Sequence, residues 1–509
     1  MKYPEAFAAM FRACFGADAW ERIQEQASRP PHKGIRLLAH DRAPLATAAV
    51  RAALRQPVRW ESGAYELPAD LQAGADPFHA AGLYYLQEPS AMAPVAALSP
   101  QQGERVLDLC AAPGGKTVQI GNRLGATGVL VANEIDPGRA DVLAENIERT
   151  GTRAVVTSLA PTRLADAYPG AFDAALVDAP CSGEGMFRKE PAAVNQWSES
   201  LVAACAGMQL EILSAAAAMV RPGGRMVYST CTFNPLENEW VCSAFLAREP
   251  DWELRPLELP GAVAGLSAAA LERAAREWPA LGARMDALRG APEAPTERCA
   301  RYLPDRTDAE GHFVALFRRR ESSAPPAAAP PATAPDGAPH RHERRAKARR
   351  VARSDARPQV QLSDAWRHFA KDALRRTPCA ADAGLLERSS RLYCAPAFPI
   401  PESGVLRPGL PLLSRHHQHV VPEHALAIAL RSDDATRPLR LAYGDARVLA
   451  YLRGEEIELT GDERETLTDG WTLICVEDVS LGWGKLSGAR IKNHYPRGLR
   501  RPHRFSWPH

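Results

Sequence analysis

At 509 residues the chain is too long for one ordinary core, so two to four domains are expected. Its 46% hydrophobic and 24% charged residues are ordinary for a globular protein, and no run of about twenty apolar residues suggests a membrane span. The net charge of +2 is uninformative by itself, while ten scattered cysteines without C-x-x-C pairing argue against a disulfide framework or a zinc site.

The N-terminus, Met1-Lys2-Tyr3-Pro4-Glu5, lacks the apolar core of a signal peptide, so a cytoplasmic location is the expectation. Residues 1–95 mix helical stretches and end in a segment running from His79 to Ser90. His79 reads there as a structural or loop histidine.

From 96 to 320 the alternation is strand, glycine-rich turn, helix, which predicts an α/β domain with a mainly parallel, doubly covered sheet. Strands are expected at Arg105–Leu109, Gly128–Asn133, Phe172–Val177 and Met226–Ser229, the last after an Arg221-Pro222-Gly223-Gly224 turn. Gly311–Phe317 should close the sheet. Arg139–Arg149 has helical spacing, with Val142, Leu143, Asn146 and Ile147 near one face.

Three strings in this region carry chemistry. Between the first strand and its helix lies Cys110-Ala111-Ala112-Pro113-Gly114-Gly115-Lys116, a loop free of bulky side chains where backbone can approach a ligand. Glu134 ends the second strand, where dinucleotide-binding folds place the acid that accepts ribose hydroxyls. Cys181, in Asp178-Ala179-Pro180-Cys181-Ser182-Gly183, and Cys231, in Tyr228-Ser229-Thr230-Cys231-Thr232-Phe233, end two further strands. Two thiols beside a nucleotide-type pocket point to covalent catalysis, because the thiolate is a strong nucleophile near neutral pH. Cys205, Cys242 and Cys475 sit in apolar runs and read as small core residues.

Residues 321–358 combine an Ala/Pro-rich stretch with a basic run from Arg341 to Arg357 and read as a linker. Beyond it, 359–425 and 426–509 are expected to fold as two further domains, with a strand over Trp471–Val476. From Leu481 to His509 there is no acidic residue against seven Lys or Arg, a pattern that suits a polyanion.

The strings 178–189 and 228–239, in that order after the Cys110–Lys116 loop, resemble the Sun-type family of S-adenosylmethionine-dependent RNA cytosine-5 methyltransferases, and within it the small-subunit ribosomal RNA methyltransferase F group. The resemblance implies a Rossmann-like methyltransferase core, an N-terminal RNA-contacting module over 1–95 and a C-terminal α+β region similar to RNA-binding PUA domains. It also implies S-adenosyl-L-methionine as cofactor, held by Cys110, Ala111, Ala112, Pro113, Gly114, Gly115, Lys116, Glu134 and Asp178. By the same resemblance Cys231 is the nucleophile, Cys181 assists adduct release, Asp178 positions the base and Lys116 adds positive charge. An acidic residue common in the family after the third strand is missing from Val155–Pro161, which leaves the grip on adenine open.

Lys485, Lys492, Tyr495, Arg497 and Arg500 are candidate RNA contacts, with Trp483 and Tyr495 as stacking aromatics. The expected partner is RNA, in the first place small-subunit ribosomal RNA; no membrane, metal or obligate protein partner is expected. Two alternatives stand beside this: the same reaction on transfer RNA, and a catalytically vestigial RNA-binding assembly factor. Removing 359–509 is expected to weaken RNA binding far more than cofactor binding.

Overall fold

The computed structural model describes residues 3–38, 54, 56–68, 70–125, 127–304, 306–307, 309–321, 361–379, 384–416 and 419–500. Apart from Glu321, the expected linker up to 358 lies outside the described residues, as do Arg501 and Arg504.

A ten-stranded sheet forms the centre. Strands β4 (Arg105–Asp108), β5 (Val129–Asn133), β6 (Val155–Thr157), β7 (Phe172–Asp178) and β8 (Val220–Thr230) run parallel in the order β8-β7-β4-β5-β6. Each returns through a helix, as the alternation in the sequence predicts. The order reverses between β4 and β7, so the crevice for a ligand opens at the carboxyl ends of these strands. The strand β12 (His312–Arg319) joins β8 antiparallel but does not close the sheet as expected, because the short strands Ala300–Tyr302 and Trp252–Arg255 pair on its outer side.

Some local expectations change. The Arg221–Gly224 turn is a loop-out inside β8: Phe172 faces Val220, Ala174 faces Arg225, and Gly223 takes a φ of +71°. On the helix Pro137–Thr150, Leu143 and Ile147 are buried against the sheet, but Val142 is 45% exposed because it lies a full position off that stripe. The helix Glu199–Met219 is long and apolar enough to cross a membrane by length and composition alone, contrary to the expectation from the sequence. It is a core helix. Val202, Ala206, Leu213 and Ala216 are fully covered, and its Gln209 donates to the Pro180 carbonyl and the Glu237 carboxylate.

The flanking parts pack onto one another. A three-stranded N-terminal sheet, β1 (Lys33–Leu37), β2 (Ala64–Leu67) and β3 (Tyr84–Leu86), shares an apolar core with a C-terminal five-stranded sheet through Ile35, Phe78, Tyr84, Leu439, Tyr451 and Ile474. That second sheet contains β18 (Pro438–Leu441), β20 (Gly470–Val476), β21 (Val479–Ser487) and β22 (Arg490–Asn493). Between linker and five-stranded sheet lies a four-stranded antiparallel sheet that includes β14 (Arg391–Ala395) and β16 (Leu410–His416). Leu412 and Leu413 of this sheet share a core with Leu473 and Trp483, so the two C-terminal parts bury a common interior. One strand from this region, β15 (Val405–Arg407), leaves it and pairs with β6 at the edge of the central sheet.

Candidate active site

Three strand ends build one side of the crevice. At the end of β4, Asp108 is fully buried and accepts from the Thr117 hydroxyl at 2.7 Å. Burial raises its carboxyl to about 7. The chain then turns through Gly114 (φ +113°), where a Cβ would meet the Leu143 side chain at 3.2 Å, and enters the helix Gly115–Leu124. Asn133, fully buried at the end of β5, ties the neighbouring loops together. Its amide donates to the carbonyls of Leu109 and Leu159, and its oxygen accepts from the Leu159 amide and the Thr157 hydroxyl. Next to it Glu134 is 3% exposed and accepts from the Asp136 amide, with Arg139 at 3.6 Å. Ile135 follows and is 58% exposed, an unusual position for a large aliphatic side chain.

The other side is ionic. Lys116 Nζ lies 2.6 Å from one oxygen of Asp178, while the second oxygen is bonded to the Ser229 hydroxyl at 2.8 Å and to His312 Nε2 at 3.3 Å. Burial works against the Asp178 charge, but the Lys116 ammonium and the His312 contact outweigh it and hold the carboxyl well below the usual range. Burial likewise works against the Lys116 charge, and Asp178 outweighs it. The pair is therefore charged. Ser229 and His312 did not stand out in the sequence; the signal available was a polar side chain at an otherwise apolar strand end.

Beside this pair the two thiols meet: the sulfurs of Cys181 and Cys231 are 3.4 Å apart. The hydrogen bond to Cys231, with burial second, pushes the Cys181 thiol well above its ordinary value. Cys181 is thus held toward its protonated form, its sulfur in contact with that of Cys231.

The letters around each cysteine brace this contact. Ser182 and Thr232 share a hydroxyl hydrogen bond at 2.9 Å, and the Gly185 amide donates to the Cys231 carbonyl at 2.8 Å. A Cβ on Gly185 would fall 2.9 Å from that carbonyl and 3.1 Å from the Gly311 carbonyl, so only glycine fits. Glu184 accepts from the Phe233 amide and the Trp197 indole. Glu237 accepts from the Ser182 amide at 3.0 Å and from Gln209, while its other oxygen has no partner. Burial, reinforced by the Glu184 charge, raises the Glu237 carboxyl to about 8. Two cysteine loops locked by buried carboxylates form a rigid dithiol site.

Comparison with known proteins gives the family. A family model for the 16S rRNA methyltransferase RsmB/F matches residues 95–318, one for the N-terminal domain of 16S rRNA methyltransferase RsmF matches 3–89, and one for the methyltransferase RsmF PUA domain matches 438–501. Ribosomal RNA small subunit methyltransferase F from Klebsiella pneumoniae is 32% identical over 98% of this chain and 96% of its own. The chain belongs to the RsmB/F methyltransferase family. The protein of the same name from Escherichia fergusonii is 33% identical over 87% of this chain and 84% of its own. A methyltransferase homologue from Pyrococcus horikoshii, solved by crystallography, shares 27% identity and a TM-score of 0.52, covering 62% of this chain and 95% of that one.

As an RsmB/F methyltransferase the enzyme uses S-adenosylmethionine, which supplies an electrophilic methyl group. The strand ends fit that group: a loop free of bulky side chains leading into a helix N-terminus without a side-chain cap, a buried carboxylate at Glu134, an exposed aliphatic at Ile135, and a buried Asp108 oxygen without a partner.

The C-terminal candidates divide. Lys485 and Lys492 are exposed and directly opposed on β21 and β22, and Arg497 is exposed. Arg500 turns inward and donates to the Tyr495 carbonyl. Trp483 (2% exposed) and Tyr495 (3%) are core residues, packed against Phe369 and against Tyr451 and His424 respectively, so neither is free to stack on a base. The half-buried aromatic beside the cations is instead Trp471, with the Lys485 ammonium 5.6 Å above its ring and His494 edge-on at 4.6 Å. Trp471 and Trp483 lie on the same face of adjacent strands, Leu473 opposite Trp483 and Trp471 opposite Lys485, so only position along the strand separates the half-buried ring from the buried one, and the sequence does not show that.

Proposed function

We propose that the enzyme methylates carbon 5 of cytosine in small-subunit ribosomal RNA, in the cytoplasm, through a covalent adduct on Cys231. The paired thiols at 3.4 Å are the observation that carries this reading. Carbon 5 of cytosine is a poor nucleophile, and addition of the Cys231 thiolate to carbon 6 pushes the electron pair onto carbon 5, which then takes the methyl.

Glu134 and the Cys110–Lys116 loop hold the ribose and amino-acid ends of the methyl donor. Asp178 stays charged, so it accepts a hydrogen bond from the exocyclic amine of the base rather than donating a proton. Lys116 keeps it so. Once Cys231 is a thioether, the hydrogen bond and charge that hold the Cys181 proton are gone, so the Cys181 thiol ionises more readily, releases that proton to solvent and is left as a thiolate base. It takes the carbon 5 proton; the C5=C6 bond reforms, the C6–S bond breaks, and Cys231 leaves as thiolate. The target base must be unstacked to reach the thiols, and the exposed Lys485, Lys492 and Arg497 with the half-buried Trp471 hold flanking RNA.

The test is incubation with labelled methyl donor and separate RNA pools, followed by nucleoside analysis. Label in 5-methylcytidine from 30S particles is the expected result. Label in transfer RNA alone would overturn the substrate, and label in N-methylated bases would overturn the dithiol chemistry.

A further inference from the structure

We infer that an excursion from the C-terminal half, residues 396–409, is the outer wall of the methyl-donor site and positions the loop that faces the adenine. The inference rests on the reading that the donor lies over the carboxyl ends of β4 to β6. With ribose at Glu134 on β5, the base extends toward the next strand end, β6, because the cofactor crosses these strands in order. The β6 loop, Thr157 to Ala160, offers no carboxylate there.

What it has instead is a strap. Between β14 and β16 the chain abandons its own sheet, crosses to the central sheet and returns. It pairs antiparallel with β6, Val405 opposite Thr157 and Arg407 opposite Val156. The Ser158 amide donates to the Gly404 carbonyl at 2.7 Å. Gly404 has φ +72°, and a Cβ there would lie 2.3 Å from the Leu159 side chain, so strap and loop touch without space between them. Leu159 is the residue that Asn133 binds through both backbone groups. The loop is therefore held from one side by Asn133 and from the other by the strap.

Anchors at both ends fix the strap itself. Phe398 stacks on Tyr168 at 5.1 Å and packs against Phe172, while the Tyr168 hydroxyl donates to the Pro399 carbonyl. At the far end Arg407, 6% exposed, donates to the Ala144 carbonyl on the helix that follows Glu134. Pro396, Pro399, Pro401 and Pro408 limit the conformations the free strap could take. Separating 359–509 from the catalytic domain would thus remove part of the donor site, and the two binding activities would fall together.

The test compares full-length wild type with Gly404→Ala and Phe398→Ala by calorimetric titration of S-adenosylhomocysteine, S-inosylhomocysteine and an RNA oligonucleotide. Expected are a five- to thirtyfold loss of S-adenosylhomocysteine affinity in both variants, RNA affinity within twofold, and a collapse of the preference for adenine over hypoxanthine. A merely structural defect would leave that preference intact in the folded fraction. In addition, residues 396–407 of wild type should gain protection from hydrogen exchange when S-adenosylhomocysteine binds, a readout independent of how well the variants fold. Unchanged affinity in folded variants, or no added protection, would overturn the inference. Failure of wild type to bind S-adenosylhomocysteine at all would instead overturn the cofactor-site reading beneath it.

Discussion

Glu237 lies directly under the Cys181 loop, and the prediction it carries is quantitative. Its carboxyl stands at about 8 against 4.5 for the free group. At 1.36 kcal/mol per unit, ionising it in the folded protein costs about 5 kcal/mol more than in the unfolded chain. The raised folded value means that the native state holds a proton the unfolded state has released. Stability from this group is complete below about pH 4.5 and is lost as pH rises toward 8. Between pH 5.5 and 8 the loss should be about 3 kcal/mol, since the folded carboxyl begins to ionise near the upper end. Glu237→Gln removes the titration while keeping an oxygen for the Ser182 amide and Gln209. Its new amide meets the position where the second oxygen has no partner, a penalty that is the same at every pH. Urea unfolding of wild type and variant in parallel should therefore show the difference between them shrinking or reversing by about 3 kcal/mol from pH 5.5 to 8 in favour of the variant. Parallel curves would mean that Glu237 is already ionised beneath the thiols at pH 6, and that the argument from burial and Glu184 is wrong.

Cys181→Ala should accumulate a covalent protein–RNA species visible on a denaturing gel, absent from the Cys181→Ala, Cys231→Ala double variant; equal amounts in both would end the assigned division of roles. Glu134→Gln should weaken S-adenosylhomocysteine about 10- to 30-fold with RNA affinity unchanged, from the loss of charge-assisted bonds worth about 1.5–2 kcal/mol, read by calorimetry. Trp471→Ala should weaken RNA binding about tenfold in fluorescence anisotropy, in line with 1–3 kcal/mol for stacking on one base. Tyr495→Ala should lower thermal stability instead, by an amount measurable in a calorimetric melt, because its ring fills the core beside Tyr451.

The central sheet was legible because parallel strands buried on both faces leave short apolar runs separated by helices, and Val106–Leu107, Val131–Ala132 and Leu176–Val177 are such runs. The thiols and the Lys116 loop were legible because their chemistry needs particular letters. Asp178's partners were not, since Ser229 and His312 come from β8 and β12 and meet only after the sheet closes. The stacking aromatics failed for a related reason. Trp483 and Trp471 sit on the same face of neighbouring strands, and Trp483 is buried because Phe369 of the helix Leu362–Ala373 packs on it, while Trp471 lies near the end of its strand and is only half covered. The strap could not be read at all: Val405–Arg407 is a short piece between prolines, and its pairing with β6 spans some 250 positions of sequence.

The core shared by the first and last sheets has a bearing on how the protein is made. Ile35, Phe78 and Tyr84 emerge from the ribosome roughly 400 codons before Leu439, Tyr451 and Ile474, the residues that cover them. At about 5–20 residues per second that interval lasts on the order of 20–80 s, during which the nascent chain carries a bare greasy face. The first sheet of an enzyme that modifies ribosomal RNA thus completes its core only when the last sheet has been made.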